Sequence, residues 1–299
     1  MDLWIFVTLA AAFFQTLRFI LQKHLSAAAL SAAGATFARF VYSAPLVALG
    51  VAAYLWIGDT ALPAISARFW PYAIAGGVSQ ILATVCVVML FKSRNFAVGI
   101  TFKKTEVIQT VLVGLVVLGE GVSPLGFGAI LVGLIGVLVL SVTPDTAVSW
   151  RNLGNRAVAL GLTSGLFFAI SGVTYRGATL EIASDDPLLR AGVALAIVTA
   201  MQTCAMAVWL GWREPGEVAR VLRVWRIAGL VGVTSMLGSL GWFTAFTLQN
   251  AAYVNALGQV ELVFSILATV FVFREKISSR EMLGISFLAV SILALVMVA

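Results

Sequence analysis

Charge is scarce in this chain, and so are histidine, cysteine and long polar stretches. Only 11% of its 299 residues are Asp, Glu, Lys or Arg, against about 25% in a soluble domain. Hydrophobic residues make up 61%, more than a water-soluble core of this length absorbs, so the solvent of the folded chain is lipid. The sole histidine is His24, which argues against a multi-histidine metal site or a Ser-His triad. Cys86 and Cys204 lie inside apolar runs and read as plain helix residues, not as a disulfide or a metal pair. There is no H-E-x-x-H, G-x-S-x-G, Walker A loop or dinucleotide fingerprint. Nor is there a long polar loop to carry a catalytic domain. The expectation is a protein that is not an enzyme, holds no cofactor or metal, and couples to no ATP hydrolysis of its own. Met1-Asp2 offers no basic leader, and the first apolar run is long enough to stay as a span.

What is present is a segment that occurs twice. Asn95, Ala97, Glu106, Glu120 and Ser123 return as Asn250, Ala252, Glu261, Glu275 and Ser278, each 155 residues on (250 − 95 = 278 − 123 = 155). Upstream, Arg68, Trp70, Ala73, Gly77 and Phe91 keep the same register with Arg223, Trp225, Ala228, Gly232 and Phe246. The chain divides into residues 1–145 and 156–299, two copies of one half, with 146–155 as the connecting loop.

Apolar runs of spanning length fall at about 3–22, 32–57, 69–91, 96–118, 124–142, 156–176, 187–210, 225–247, 251–273 and 280–298. Entry signals mark several starts: Ser123-Pro124 and Asp186-Pro187 are caps followed by proline, and Ser278-Ser279-Arg280-Glu281 is a capping box. The acidic run at Asp185-Asp186 reads as part of such a cap. Trp4, Trp56, Trp70, Trp150, Trp209, Trp212 and Trp225 sit near span ends as an aromatic belt, with Trp242 deeper. Gly161, Gly165, Gly229 and Gly232 read as points of close helix approach.

Five spans per copy is odd, so two copies in one chain cross the membrane in opposite senses. That is the inverted-repeat plan of many secondary transporters, with the site at the repeat interface. The net charge of +6 lies in loops and reads as topology, not as nucleic-acid binding. Lys23, Lys92, Arg94, Arg151, Arg156, Arg213, Arg220, Arg223, Arg226, Arg274, Lys276 and Arg280 fall on one side, against Arg68, Arg176 and Arg190 on the other. By the positive-inside rule the termini would be outside.

A charge at bilayer depth costs about 2.5–3.5 kcal/mol, so it usually faces a cavity or a partner. The fourth span holds Lys103, Lys104, Glu106 and Gln109; the ninth holds Asn255, Gln259, Glu261 and Ser265. Glu106 matches Glu261, and Lys104 matches Gln259. The matched carboxylates have three readings: proton coupling, binding a cationic part of a substrate, or a structural Lys103–Glu106 pair at i,i+3. Lys103 and Lys104 suit a substrate carboxylate or phosphate, unless their stems snorkel to the headgroups. Gln15, Gln80, Thr84, Ser235 and Ser239 are further interior polar residues. Gln80 and Thr84 share a helix face, and their matched positions Ser235 and Ser239 form a stripe facing them. Ser79 lies beside this stripe. Ser164, Ser171, Thr174 and Tyr175 form a weaker group. Arg39 and Arg190, near span starts, read as anchors or gates.

The run Thr105-Glu106 … Leu118-Gly119-Glu120 … Ser123-Pro124, followed by Gly126, Gly128, Gly133 and Gly136, is repeated as Val260-Glu261 … Arg274-Glu275 … Ser278, then Gly284. In this the chain resembles the EamA-type exporters of the drug/metabolite transporter superfamily. Many relatives place proline after the glutamate; Val107 and Leu262 stand there instead. The resemblance implies a basket of ten helices, with spans one to four and six to nine lining a cavity and five and ten outside it. It also implies cytoplasmic termini, against the loop charges, and amino-acid or metabolite export, as in YddG-type amino-acid exporters.

The chain is therefore expected to be an all-α, multi-pass protein of the inner (plasma) membrane, exporting small polar or amphipathic metabolites by alternating access. Glu106, Glu261, Lys103, Lys104, Gln80, Thr84, Gln259, Ser239 and Gln15 are the expected substrate-binding residues. In that reading a lysine takes the carboxylate of an amino acid and a glutamate its ammonium. The expected partners are such a small-molecule substrate, protons and membrane lipid, with the protein a monomer or weak oligomer. The competing readings are exchange of organic anions or phosphorylated metabolites, and a lipid flippase or a non-transporting membrane scaffold.

Overall fold

The structure is a computed structural model, and it describes residues 2–28, 30–91, 96–141, 156–264, 266–267 and 279–298. It is helical throughout, with no strand among the described residues. The long helices are α1 (Leu3–Ala28), α2 (Ala32–Ile57), α3 (Phe69–Phe91), α6 (Pro124–Ser141), α7 (Arg156–Leu180), α8 (Pro187–Arg213), α10 (Trp225–Leu248) and α12 (Ser279–Val298). Between them lie the shorter α4 (Phe96–Lys103), α5 (Glu106–Leu118), α9 (Glu217–Arg223) and α11 (Ala251–Gly258). Seven of the helices are long and apolar enough to cross a membrane, and α6 is apolar but shorter.

Local chemistry sets the boundaries. Asp186 accepts from the Leu188 N–H at 2.9 Å and Ser123 from the Gly126 N–H at 3.1 Å, each just ahead of its helical proline. Asn250 caps α11 through Ala252 at 2.8 Å. The capping box begins at Ser278 and the connecting loop covers 146–155; both lie outside the described residues, as do Trp150 and Ser265. α1 and α7 run past the expected 22 and 176 to Ala28 and Leu180, because a helix continues beyond its apolar stretch.

The fourth expected span is the main departure. It is not one helix: the backbone tightens at Lys104-Thr105, where Lys104 N–H bonds Thr101 O at 3.2 Å and Thr105 N–H bonds Phe102 O at 3.2 Å. The ninth does the same at Gln259-Val260, with Gln259 N–H to Ala256 O at 3.2 Å and Val260 N–H to Leu257 O at 3.1 Å. Helix resumes over 261–264. These breaks occupy matched positions, and no proline is present in either.

Helix neighbours follow a crossed pattern. α1 packs on α10 and α3 on α7; α2 packs on α8; α6 packs on α12. Glycine permits the closest crossings. A Cβ on Gly161 would strike the Gly99 carbonyl, and one on Gly232 would strike Tyr42. One on Gly165 would lie 2.9 Å from Lys103 O. Gly229 has open space around it, so the expected close approach there is wrong. Trp56, Trp70, Trp209, Trp212 and Trp225 are exposed on the outer surface, but Trp4 is 4% exposed and belongs to the core. The outer faces are apolar, with Val116 and Met297 each 84% exposed, as a lipid-facing surface requires.

Candidate functional site

The Thr84–Ser235–Ser239 stripe surrounds one side chain, Arg39. From α2 its Nε donates to Ser235 Oγ at 3.0 Å, Nη1 to Thr84 Oγ1 at 3.0 Å and Nη2 to Ser239 Oγ at 3.3 Å. Thr84 spends its own proton on the Gln80 carbonyl at 2.8 Å, which leaves its lone pairs for the guanidinium. Arg39 is 3% exposed, so it is neither a headgroup anchor nor a surface gate. Arg190 is half-buried and ties α8 to the end of α7 through Thr179 O at 2.8 Å.

Gln80 faces the other way. Its Oε1 accepts from Tyr175 Oη at 2.9 Å and from Gln202 Nε2 at 3.2 Å. The tyrosine comes this close because Gly76 has no side chain; a Cβ there would stand 2.6 Å from the ring.

The four charged residues at the two helix breaks form one cluster. Lys103 ends α4, Lys104 lies in the break, and Glu106 begins α5. Lys103 Nζ is 3.1 Å from Glu106 Oε2 and 3.9 Å from Glu261 Oε1. Lys104 donates to Glu261 Oε1, across 157 residues of sequence. Gln15 Nε2 holds Glu261 Oε2 at 2.7 Å. Both lysines are buried, at 4% and 2% exposure, so neither snorkels. Lys103 also lies 4.9 Å from the centre of the Phe168 ring, within cation–π range. The local i,i+3 pairing therefore exists, and Glu261, which lacks a lysine in its own turn, receives one from the other half.

A narrow cleft runs between these groups. Of the expected site residues, Gln15, Gln80, Lys103, Glu106, Ser239, Gln259 and Glu261 line it. Thr84 and Lys104 stand one bond behind, on Arg39 and Glu261. A second, wider cleft lies beyond the cluster; Lys103 and Glu261 line both. Towards the 119–123 turn, Arg176 Nε bonds both Glu120 oxygens at 2.8 and 2.7 Å. Its Nη1 bonds Phe246 O at 2.7 Å and Gln249 O at 2.9 Å, and Phe246 itself lines the central cleft.

Several site residues were not among those expected from the sequence. Arg39 and Trp242 line the cleft. Arg18, 2% exposed, lies behind Gln15 and bonds its Oε1 at 3.4 Å and Gln22 Oε1 at 3.2 Å. No local sequence signal marks Arg39, because its hydroxyl partners come from α3 and α10. Among the described buried groups, Arg18, Arg39, Lys103 and Lys104 stand against Glu106, Glu217 and Glu261, an excess of one positive charge (4 − 3). No cluster of metal-ligating side chains occurs among the described residues.

A solved crystal structure superposes on 99% of this chain and 96% of its own, with a TM-score of 0.72 at 14% sequence identity. At that identity the likeness is one of fold. No curated protein matches by sequence. Residues 155–297, just under half of the chain, match the EamA-like transporter family.

Proposed function

We propose that the chain is a secondary transporter that exports small polar or amphipathic metabolites, amino acids foremost. It works by alternating access between two inverted five-helix halves, residues 1–145 and 156–299, in the inner (plasma) membrane. One observation carries this reading: the two helix breaks, in matched register, bring Lys103–Glu106 and Lys104–Glu261 to one cleft. Exchanging the halves turns the α1–α10 contact into α3–α7 and leaves α2–α8 and α6–α12 unchanged, which supports a two-fold relation. Broken helices at a midplane site are how transporters expose backbone and charge to a substrate. In this conformation the lysines and glutamates neutralise each other. A zwitterion would enter by exchanging its own carboxylate and ammonium for these contacts.

The test is counterflow in proteoliposomes across amino acids, organic anions and cationic solutes, at two pH values. Glu106→Gln and Glu261→Gln are expected to lower uptake and to flatten its pH dependence. Uptake unchanged in both variants at both pH values removes the glutamates from the mechanism. Arg39, a buried cation on the cleft with no ion-pair partner among the described residues, favours a second reading, exchange of organic anions. Under that reading Lys104→Glu abolishes transport of anions and spares cations.

A further inference from the structure

We propose that Arg39 is the anchor for a carboxylate on the transported solute. The inference rests on the transporter reading above and moves the anchor of the substrate carboxylate from the lysines to Arg39. Arg39 lines the central cleft, and among the described residues no carboxylate lies within ion-pairing distance of it. Lys103 also lines the cleft, but Glu106 already neutralises it. Arg18 lies behind Gln15 and outside the cleft lining.

A buried cation held only by neutral groups is an incomplete site. The three hydroxyls that receive Arg39 satisfy hydrogen bonds, but they bring no charge, and burying an unpaired ion is costly. A guanidinium has five N–H donors. Ser235, Thr84 and Ser239 occupy three, one on each nitrogen. One N–H remains on each terminal nitrogen, and such a pair matches the two oxygens of a planar carboxylate. The hydroxyls also fix the guanidinium plane from α3 and α10 together, so little side-chain freedom is lost when a ligand arrives.

The cleft also carries polar atoms without a partner among the described residues. Gln259, 6% exposed, lines the cleft with Oε1 unbonded, and so does Trp242 with its Nε1. An acceptor and a donor are thus free for the remainder of the solute. Gln259 Nε2 is spent on Asn255 O at 3.2 Å, which orients the amide so that its oxygen is the atom on offer. The ligand that fits is a small metabolite with a carboxylate and further hydrogen-bonding groups.

The experiment compares matched pairs, a carboxylic acid and its neutral amide, in wild type, Arg39→Lys, Arg39→Gln and Ser239→Asp. Counterflow is read alongside the shift in unfolding temperature that each solute causes in the purified protein. Wild type is expected to prefer the acid, and Arg39→Gln to raise its KM by about 10–100-fold, the worth of charge-assisted hydrogen bonds. Arg39→Lys keeps the charge without the fork and falls between. Ser239→Asp supplies an internal carboxylate to the guanidinium; it is expected to fold as well as wild type and to lose stabilisation by acids. Equal response to acid and amide in wild type overturns the inference, as does an unchanged KM for the acid in Arg39→Gln. If no solute moves but acids stabilise wild type and not Ser239→Asp, the anchor stands and the transporter reading falls. If acids neither move nor stabilise, both fall.

Discussion

Removing Glu261 tests the charged cluster most severely. That carboxylate serves Lys104 directly, lies 3.9 Å from Lys103 and takes a hydrogen bond from Gln15 at 2.7 Å. Glu106 serves Lys103 alone, at 3.1 Å. Glu261→Gln leaves the Lys104 ammonium, 2% exposed, without its partner and beside another cation. Breaking a buried pair from one side costs about 3–5 kcal/mol, whereas replacing both partners by apolar groups of similar volume is often neutral. Glu261→Gln is therefore expected to lose about 3–5 kcal/mol in reversible unfolding from detergent micelles. Glu106→Gln should cost less, because Glu261 still lies within reach of Lys103. The double variant Lys104→Met/Glu261→Leu should recover most of the loss, giving a coupling energy of about 2 kcal/mol or more. If Glu261→Gln unfolds within about 0.5 kcal/mol of wild type, or if the two single costs simply add, the ion pair does not hold the helix breaks together.

Other perturbations probe the packing and the caps. Gly161→Ala sets a methyl against the Gly99 backbone and should cost about 1–3 kcal/mol, while Gly229→Ala, with open space around it, should be near neutral in the same unfolding assay. Glu217, fully buried, accepts the Ser31 N–H at 2.6 Å, and a Cβ on Gly34 would collide with it. Gly34→Ala and Glu217→Ala thus damage one contact, and the double variant should lose much less than the sum of the two. Asp186→Ala removes the α8 cap and should cost about 1 kcal/mol. The hydrogen bond from Tyr54 Oη, at 2.5 Å, holds the Asp186 carboxyl below the ordinary carboxylate range against a burial that pushes it up, with the Leu188 and Leu189 N–H groups assisting. Its stabilisation is present above the unfolded value near about 4 and is lost as pH falls through the lower folded value. Tyr54→Phe should therefore differ from wild type at neutral pH and converge with it in acid.

The sequence made the helices legible because apolar length and cap chemistry are local. The α2 and α3 limits, the Ser123 and Asp186 caps and the Lys103–Glu106 pair all follow from neighbours within a few residues. The stripe at Thr84, Ser235 and Ser239 was legible as a stripe, but its occupant was not. Arg39 lies close to a span start, where an arginine normally reaches outwards, and only the approach of α3 and α10 shows that it turns inwards. The Lys104–Glu261 pair was hidden for the same reason, since its partners belong to different halves. Trp4 read as a belt residue by position and proved to be core, because α1 is covered by α10 at that level. The breaks before Glu106 and Glu261 carry no proline, so no local signal announced them.

That absence of proline has a mechanical consequence. A proline lacks an N–H and can never restore the bond it removes. Lys104, Thr105, Gln259 and Val260 all keep theirs and bond carbonyls three residues back, Lys104 sharing its hydrogen with Ile100 O at 3.3 Å in the α-helical register. Nothing covalent holds either seam open. Each can rewind into continuous helix or loosen further by trading hydrogen bonds one for one, with Glu106 and Glu261 turning on the axis of the segment that follows. The two seams are thus reversible joints written in ordinary residues, and whatever rebalances their charges also sets their winding.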